Sequence, residues 1–116
     1  MTEQEIRTIL NRQREYFATG ATLSRKFRAE QLGKLKASLQ RHEEELNAAL
    51  QQDLGKSRME SYMCEIGLTL SELTWMQKHL RGLMQEKRVP TPLSQFAAIS
   101  FRSPSPYGTV LIMSPW

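Results

Sequence analysis

The sequence is poor in the residues from which small catalytic and metal sites are built. Cys64 is its one cysteine. No internal disulfide can form, so a reducing cytoplasm is the expected location. There are two histidines, His42 and His79. His42 precedes Glu43, Glu44 and Glu45, but Leu46 stands where a metal-binding His-Glu-x-x-His would need its second histidine. The run reads as a solvated acidic helix turn, and no metal is expected. Six glycines are scattered at helix ends and turns and form neither a Gly-x-Gly-x-x-Gly fingerprint nor a phosphate loop. No apolar stretch approaches the roughly 18 residues of a membrane span. Met1-Thr2-Glu3-Gln4-Glu5 lacks the basic start and apolar core of a signal peptide. Proline is absent until Pro90.

What remains is ordinary for a soluble domain. The chain has 116 residues, 40% hydrophobic and 24% charged, one domain's worth or part of one. The net charge is +4, which raises the question of nucleic acid. The basic residues are interleaved with acids along helices, as in the i,i+4 pairs Glu3–Arg7 and Glu30–Lys34. No finger, basic zipper or aromatic RNA-binding signature accompanies them. The charge therefore reads as a solvated surface, and no nucleic-acid partner is expected.

Hydrophobic spacing predicts three long helices. Thr2 with Glu5 forms a capping box, and Ile6, Ile9, Leu10, Tyr16 and Phe17 recur at helical spacing over about 3–18. Gly20 is a suitable stop. Thr22 or Ser24 can cap a second helix that carries Phe27, Leu32, Leu35, Leu39, Leu46, Leu50 and Leu54, with a break near Arg41-His42. Gly55 ends it. Ser57 can cap a third helix over about 58–86, with Met63, Ile66, Leu70, Leu73, Leu80 and Leu83 along one side. Cys64 falls inside this helix, with no histidine or lysine nearby in sequence to lower its pKa. It reads as a small packed or half-exposed side chain, and His79 as a helix-surface or interface residue with no catalytic role. Pro90 and Pro92 end helical structure.

The period then changes. Ala97, Ile99 and Phe101 alternate with Phe96, Ala98, Ser100 and Arg102, as in a strand with two different faces. Pro104 and Pro106 end it. After the turn Pro106-Tyr107-Gly108, the apolar run Thr109–Met113 reads as a second strand of the kind buried on both faces of a parallel sheet. The predicted class is therefore mainly α with a short β tail.

Three stretches resemble the aldehyde dehydrogenase family, especially its class 3 type. "PYGTVLIMSPW", from Pro106 to Trp116, is similar to the segment that leads into the family's catalytic Trp-Asn. "DLGKSRMESYMCEIG", from Asp53 to Gly67, resembles its Asp-Leu-Gly-Lys linker and following helix. Phe27 to Gly55 resembles its long second helix. Ser103-Pro104-Ser105-Pro106 is more proline-rich than the usual connection.

The resemblance implies an N-terminal portion of an NAD- or NADP-dependent enzyme oxidising an aldehyde to a carboxylic acid, a piece of its α/β fold. Residues 1–92 would be the helical segment, 93–105 a strand of the oligomerisation arm and its connection, and 106–116 the first strand of the cofactor domain. Met113, Ser114, Pro115 and Trp116 match the segment that lines the nicotinamide side of the cofactor cleft. This suits the rule that open α/β sheets bind ligands at the carboxyl ends of their strands. The family's catalytic Asn would follow Trp116, and its nucleophilic Cys lies well downstream; Cys64 does not match it. The isolated segment is therefore expected to be inactive and to bind the dinucleotide weakly at best. Unpaired strands imply a homo-oligomer joined through the C-terminal strands. The alternative is a free-standing helical module for self-association or protein interaction.

Overall fold

The computed structural model of the chain describes residues 1–113. It is mainly helical with one short antiparallel ribbon. Two compact units form: one from Met1–Phe27 with the chain from Met84 onward, the other from Arg28–Leu83.

In the first unit, helix α1 spans Glu3–Ala18. Its capping box is complete: Thr2 Oγ1 accepts from Glu5 N–H at 3.3 Å, and the Glu5 carboxylate accepts from Thr2 N–H at 2.7 Å. Two otherwise orphaned donors are thereby satisfied. The apolar stripe is only partly covered. Leu10 and Phe17 are half-buried, whereas Ile6, Ile9 and Tyr16 are exposed. Gly108 lies against the Phe17 ring.

The ribbon pairs β1 (Lys87–Val89) with β2 (Ser100–Arg102), in register Lys87↔Arg102, Arg88↔Phe101 and Val89↔Ser100. Between them a 3-10 turn covers Leu93–Gln95, Ala97 takes a left-handed φ of 76°, and Ser100 N–H donates to Thr91 Oγ1 at 3.0 Å. Two expectations are corrected here. The alternating pattern over 96–102 becomes a strand only at Ser100–Arg102, because the turn occupies the residues before it. Its partner is Lys87–Val89, a segment just past the expected helix and not anticipated as a strand. Thr109–Met113 forms no strand at all. A strand needs a neighbouring ladder, and no described segment supplies one there.

The second unit holds α2 (Arg25–Arg41, entering from the first unit), α3 (Glu43–Leu54), α4 (Arg58–Ser61) and α5 (Gly67–Leu83), with a π turn at Tyr62–Ile66 joining α4 to α5. The break expected near Arg41-His42 is present: His42 leaves helical geometry at φ −101°, ψ 18°, and its ring Nδ1 lies 2.8 Å from Ser38 O. Gly55 ends α3 at φ 65°, a left-handed cap that glycine adopts without strain. The run expected over 58–86 is one helical path that stops at Leu83.

Gly33 faces Gln77, and Lys36 Nζ reaches Thr74 Oγ1 at 2.7 Å. Advancing along α2 thus means retreating along α5, so the two are antiparallel. The buried apolar side chains are Ile66, Leu73 and Leu80. Leu39, Leu46, Leu50 and Leu70 are half-buried, while Leu35 and Leu83 stay exposed. Buried Asn47 and Ser61 have side-chain polar atoms without a hydrogen-bond partner, an unfavourable feature of a small core.

Candidate functional site

Of the four residues that the sequence nominates, Met113 is described, and its side chain is 83% exposed. Ser114, Pro115 and Trp116 lie outside the described residues. The approach through Val110, Leu111 and Ile112 is likewise exposed. Thr109, Val110 and Leu111 line a cleft of about 400 Å³ beside Ile6, Ile9 and Leu10 of α1. This cleft carries no charged side chain. A dinucleotide needs donors for its phosphates and walls for its rings, so this cleft by itself does not fit one.

Cys64 sits in the π turn and is exposed. His79 Nδ1 lies 2.8 Å from Trp75 O, and its ring stacks on Trp75 with centroids 4.3 Å apart. Among the described residues no cluster of histidine, cysteine and carboxylate side chains could hold a metal.

Three contacts around the α3–α4 junction have a clear local cause. Ser57 caps α4 with a second capping box: Ser57 Oγ accepts from Glu60 N–H at 3.3 Å, and the Glu60 carboxylate accepts from Ser57 N–H at 2.8 Å. These hydrogen bonds hold the Glu60 carboxyl below its ordinary pKa. Lys56 donates to Glu65, and that bond raises the lysine pKa. Arg58 pairs with Glu44 of α3.

The π turn itself was not legible as such, although Gly67 gave a signal. A Cβ there would stand 2.7 Å from Tyr62 O and 2.9 Å from the Tyr62 ring. The extra residue of the π turn brings this carbonyl and ring against the Gly67 backbone. Beside it, α2 and α5 enclose a groove of about 550 Å³ lined among others by Lys36, Thr74, Trp75, Lys78 and His79. No local sequence pattern announces this groove, because its lining residues are brought together only by the antiparallel pairing.

Comparison with known proteins decides the family. The model for the aldehyde dehydrogenase family matches residues 1–116. The chain belongs to the aldehyde dehydrogenase family. It is 41% identical over 101 residues to 4,4'-diaponeurosporen-aldehyde dehydrogenase of Staphylococcus aureus (strain NCTC 8325 / PS 47), covering 87% of this chain and 22% of that one. Mouse aldehyde dehydrogenase family 3 member B3 is 43% identical over 107 residues, covering 92% and 22%. Human family 3 member B1 is 40% identical over the same length, covering 92% and 23%. These relatives bear out the class 3 resemblance. A solved structure, the substrate-bound state of Staphylococcus aureus AldH, matches with a TM-score of 0.82 at 35% identity, over 84% of this chain and 21% of that one. The fold is thus a piece of the aldehyde dehydrogenase fold, mainly helical with a short β tail. The chain spans little more than a fifth of the length of the relatives it matches. No helix among the described residues is long and apolar enough to cross a membrane.

Proposed function

We propose that these 116 residues are the N-terminal portion of an NAD- or NADP-dependent aldehyde dehydrogenase, which oxidises an aldehyde to a carboxylic acid in the cytoplasm. The observation that carries this is the family match along the whole chain, against only 22% of the length of its relatives. Within the enzyme, 1–92 form the helical segment, 93–105 the arm strand and connection, and 106–116 the first strand of the cofactor domain. Met113, Ser114, Pro115 and Trp116 supply one edge of the nicotinamide side of the cleft. The resemblance of "PYGTVLIMSPW" to the segment before the catalytic Asn supports that role, and the exposure of Val110–Met113 leaves them open to the rest of a sheet.

The isolated chain is inactive by this proposal. Aldehyde oxidation through a thioester needs an activated thiolate and a donor for the developing oxyanion. Cys64 is exposed in a helical path and lies far in sequence from the cleft edge. The likeness to a dehydrogenase structure does not favour a free-standing interaction module.

Two measurements test the proposal. Pure chain given a simple aldehyde with NAD or NADP should reduce no nicotinamide above a Cys64→Ser control; turnover above that control overturns the inactivity. The reading frame after the Trp116 codon should continue with an asparagine codon, and any other residue there removes the match to the catalytic Trp-Asn.

A further inference from the structure

We propose that the groove between α2 and α5 binds a small phosphate-bearing molecule through Lys36 and Lys78. At about 550 Å³ it falls in the size range of metabolite pockets, and no carboxylate side chain lines it. Lys36 is half-buried, and its ammonium is fixed by donation to Thr74 Oγ1 at 2.7 Å. The Thr74 hydroxyl donates in turn to Leu70 O at 2.7 Å, so Thr74 serves Lys36 as an acceptor. One N–H of the ammonium is used in this way and two remain for a ligand.

Lys78 follows Thr74 by four residues on α5 and therefore shares its face, one turn along. The Lys36 head group and the Lys78 stem thus converge on one side of the helix. Among the described residues neither lysine makes an ion pair, unlike Lys34 with Glu30 and Lys56 with Glu65. Both lysines line the groove and no carboxylate lines it with them, so a doubly charged anion there meets two cationic donors. The stacked Trp75 and His79 rings form an adjoining wall. With Nδ1 engaged on Trp75 O, the histidine keeps Nε2 for a ligand.

The test uses the 116-residue chain and inorganic pyrophosphate, with calorimetry for affinity and amide chemical shifts for location. Saturable binding should move the amides of Lys36, Thr74 and Lys78. Lys36→Gln and Lys78→Gln should each weaken it about tenfold, the worth of one charge-assisted hydrogen bond, with circular dichroism unchanged. Lys78 is exposed, so its variant keeps the test valid even if Lys36→Gln disturbs packing. Absence of saturation, equal shifts from chloride at matched ionic strength, unchanged affinity in the Lys78 variant, or shifts centred on Arg12 and Arg14 would each overturn the proposal.

Discussion

Gly33 and Gly67 both sit in helical structure, yet their surroundings ask opposite things of a methyl group. At Gly67 the carbonyl and ring of Tyr62 occupy the space a Cβ would take. Gly67→Ala must therefore open the π turn or push the ring away, a clash that costs about 1–3 kcal/mol. At Gly33 a Cβ would meet Gln77 Nε2 at 3.6 Å, an ordinary contact. There the alanine lowers the entropy lost on folding, and Gly33→Ala should stabilise by about 0.5–1 kcal/mol. Thermal melts of the two variants should shift in opposite directions; a Gly67→Ala protein as stable as the parent would mean that the π turn is not the native path. Glu60 gives a pH-dependent counterpart. Its hydrogen bonds with Ser57 depress its folded pKa, so their contribution is present above the ordinary glutamate value of about 4.3. It is lost as pH falls through the folded value. Ser57→Ala should cost about 1 kcal/mol near neutral pH, and the gap between variant and parent should narrow below pH 4. A gap that stayed constant down to pH 2 would show that the box does not tune Glu60.

At the scale of elements, burial ranks the leucines. Leu73 and Leu80 are 7% exposed, whereas Leu35 is 50% exposed. Leu73→Ala and Leu80→Ala should each cost about 2–5 kcal/mol, and Leu35→Ala a small fraction of that, by urea titration; equal losses at Leu35 and Leu73 would refute the burial ranking. The unequal burial also explains what could be foreseen. Helical periodicity and the Thr2 and Ser57 boxes are local signals, so α1 was legible to its last residue, Ala18. The break at His42 and the stop at Gly55 were legible for the same reason. Leu35 and Leu83 carry the helical spacing of core residues and are still exposed, because spacing fixes a face and not what covers it. The ribbon was half legible. The alternation over 96–102 was real, but Lys87-Arg88-Val89 has no alternating apolar pattern, and only its register with Ser100–Arg102 makes it a strand. The groove at Lys36 and Lys78 depends on a pairing between residues 36 and 74, which no local pattern encodes. Of the cofactor-edge candidates, the family resemblance alone nominated Met113 to Trp116.

For the molecule as a whole, the distribution of apolar surface is the dominant fact. Phe96, Ile99, Val110, Leu111, Ile112 and Met113 are each 62% or more exposed, while the buried apolar core holds Ile66, Leu73 and Leu80. A monomer rarely leaves so many large apolar side chains in one stretch of chain facing water. Val110–Met113 also has no ladder, so its backbone groups are open to pairing. Lys87 and Arg88 guard the β1 side of the ribbon with charge, which leaves the tail as the softer edge. We therefore predict that the isolated chain self-associates through residues 94–113. Light scattering of the isolated chain should give a mass that rises with concentration in the micromolar range. Leu111→Lys with Ile112→Lys should return it to the monomer, since two buried charges at an interface outweigh the apolar area they replace. Helical circular dichroism should be unchanged, because these residues lie outside every helix. A parent chain that stays monomeric at high micromolar concentration, or a double variant that associates as strongly as the parent, would show that the tail is not the joining surface.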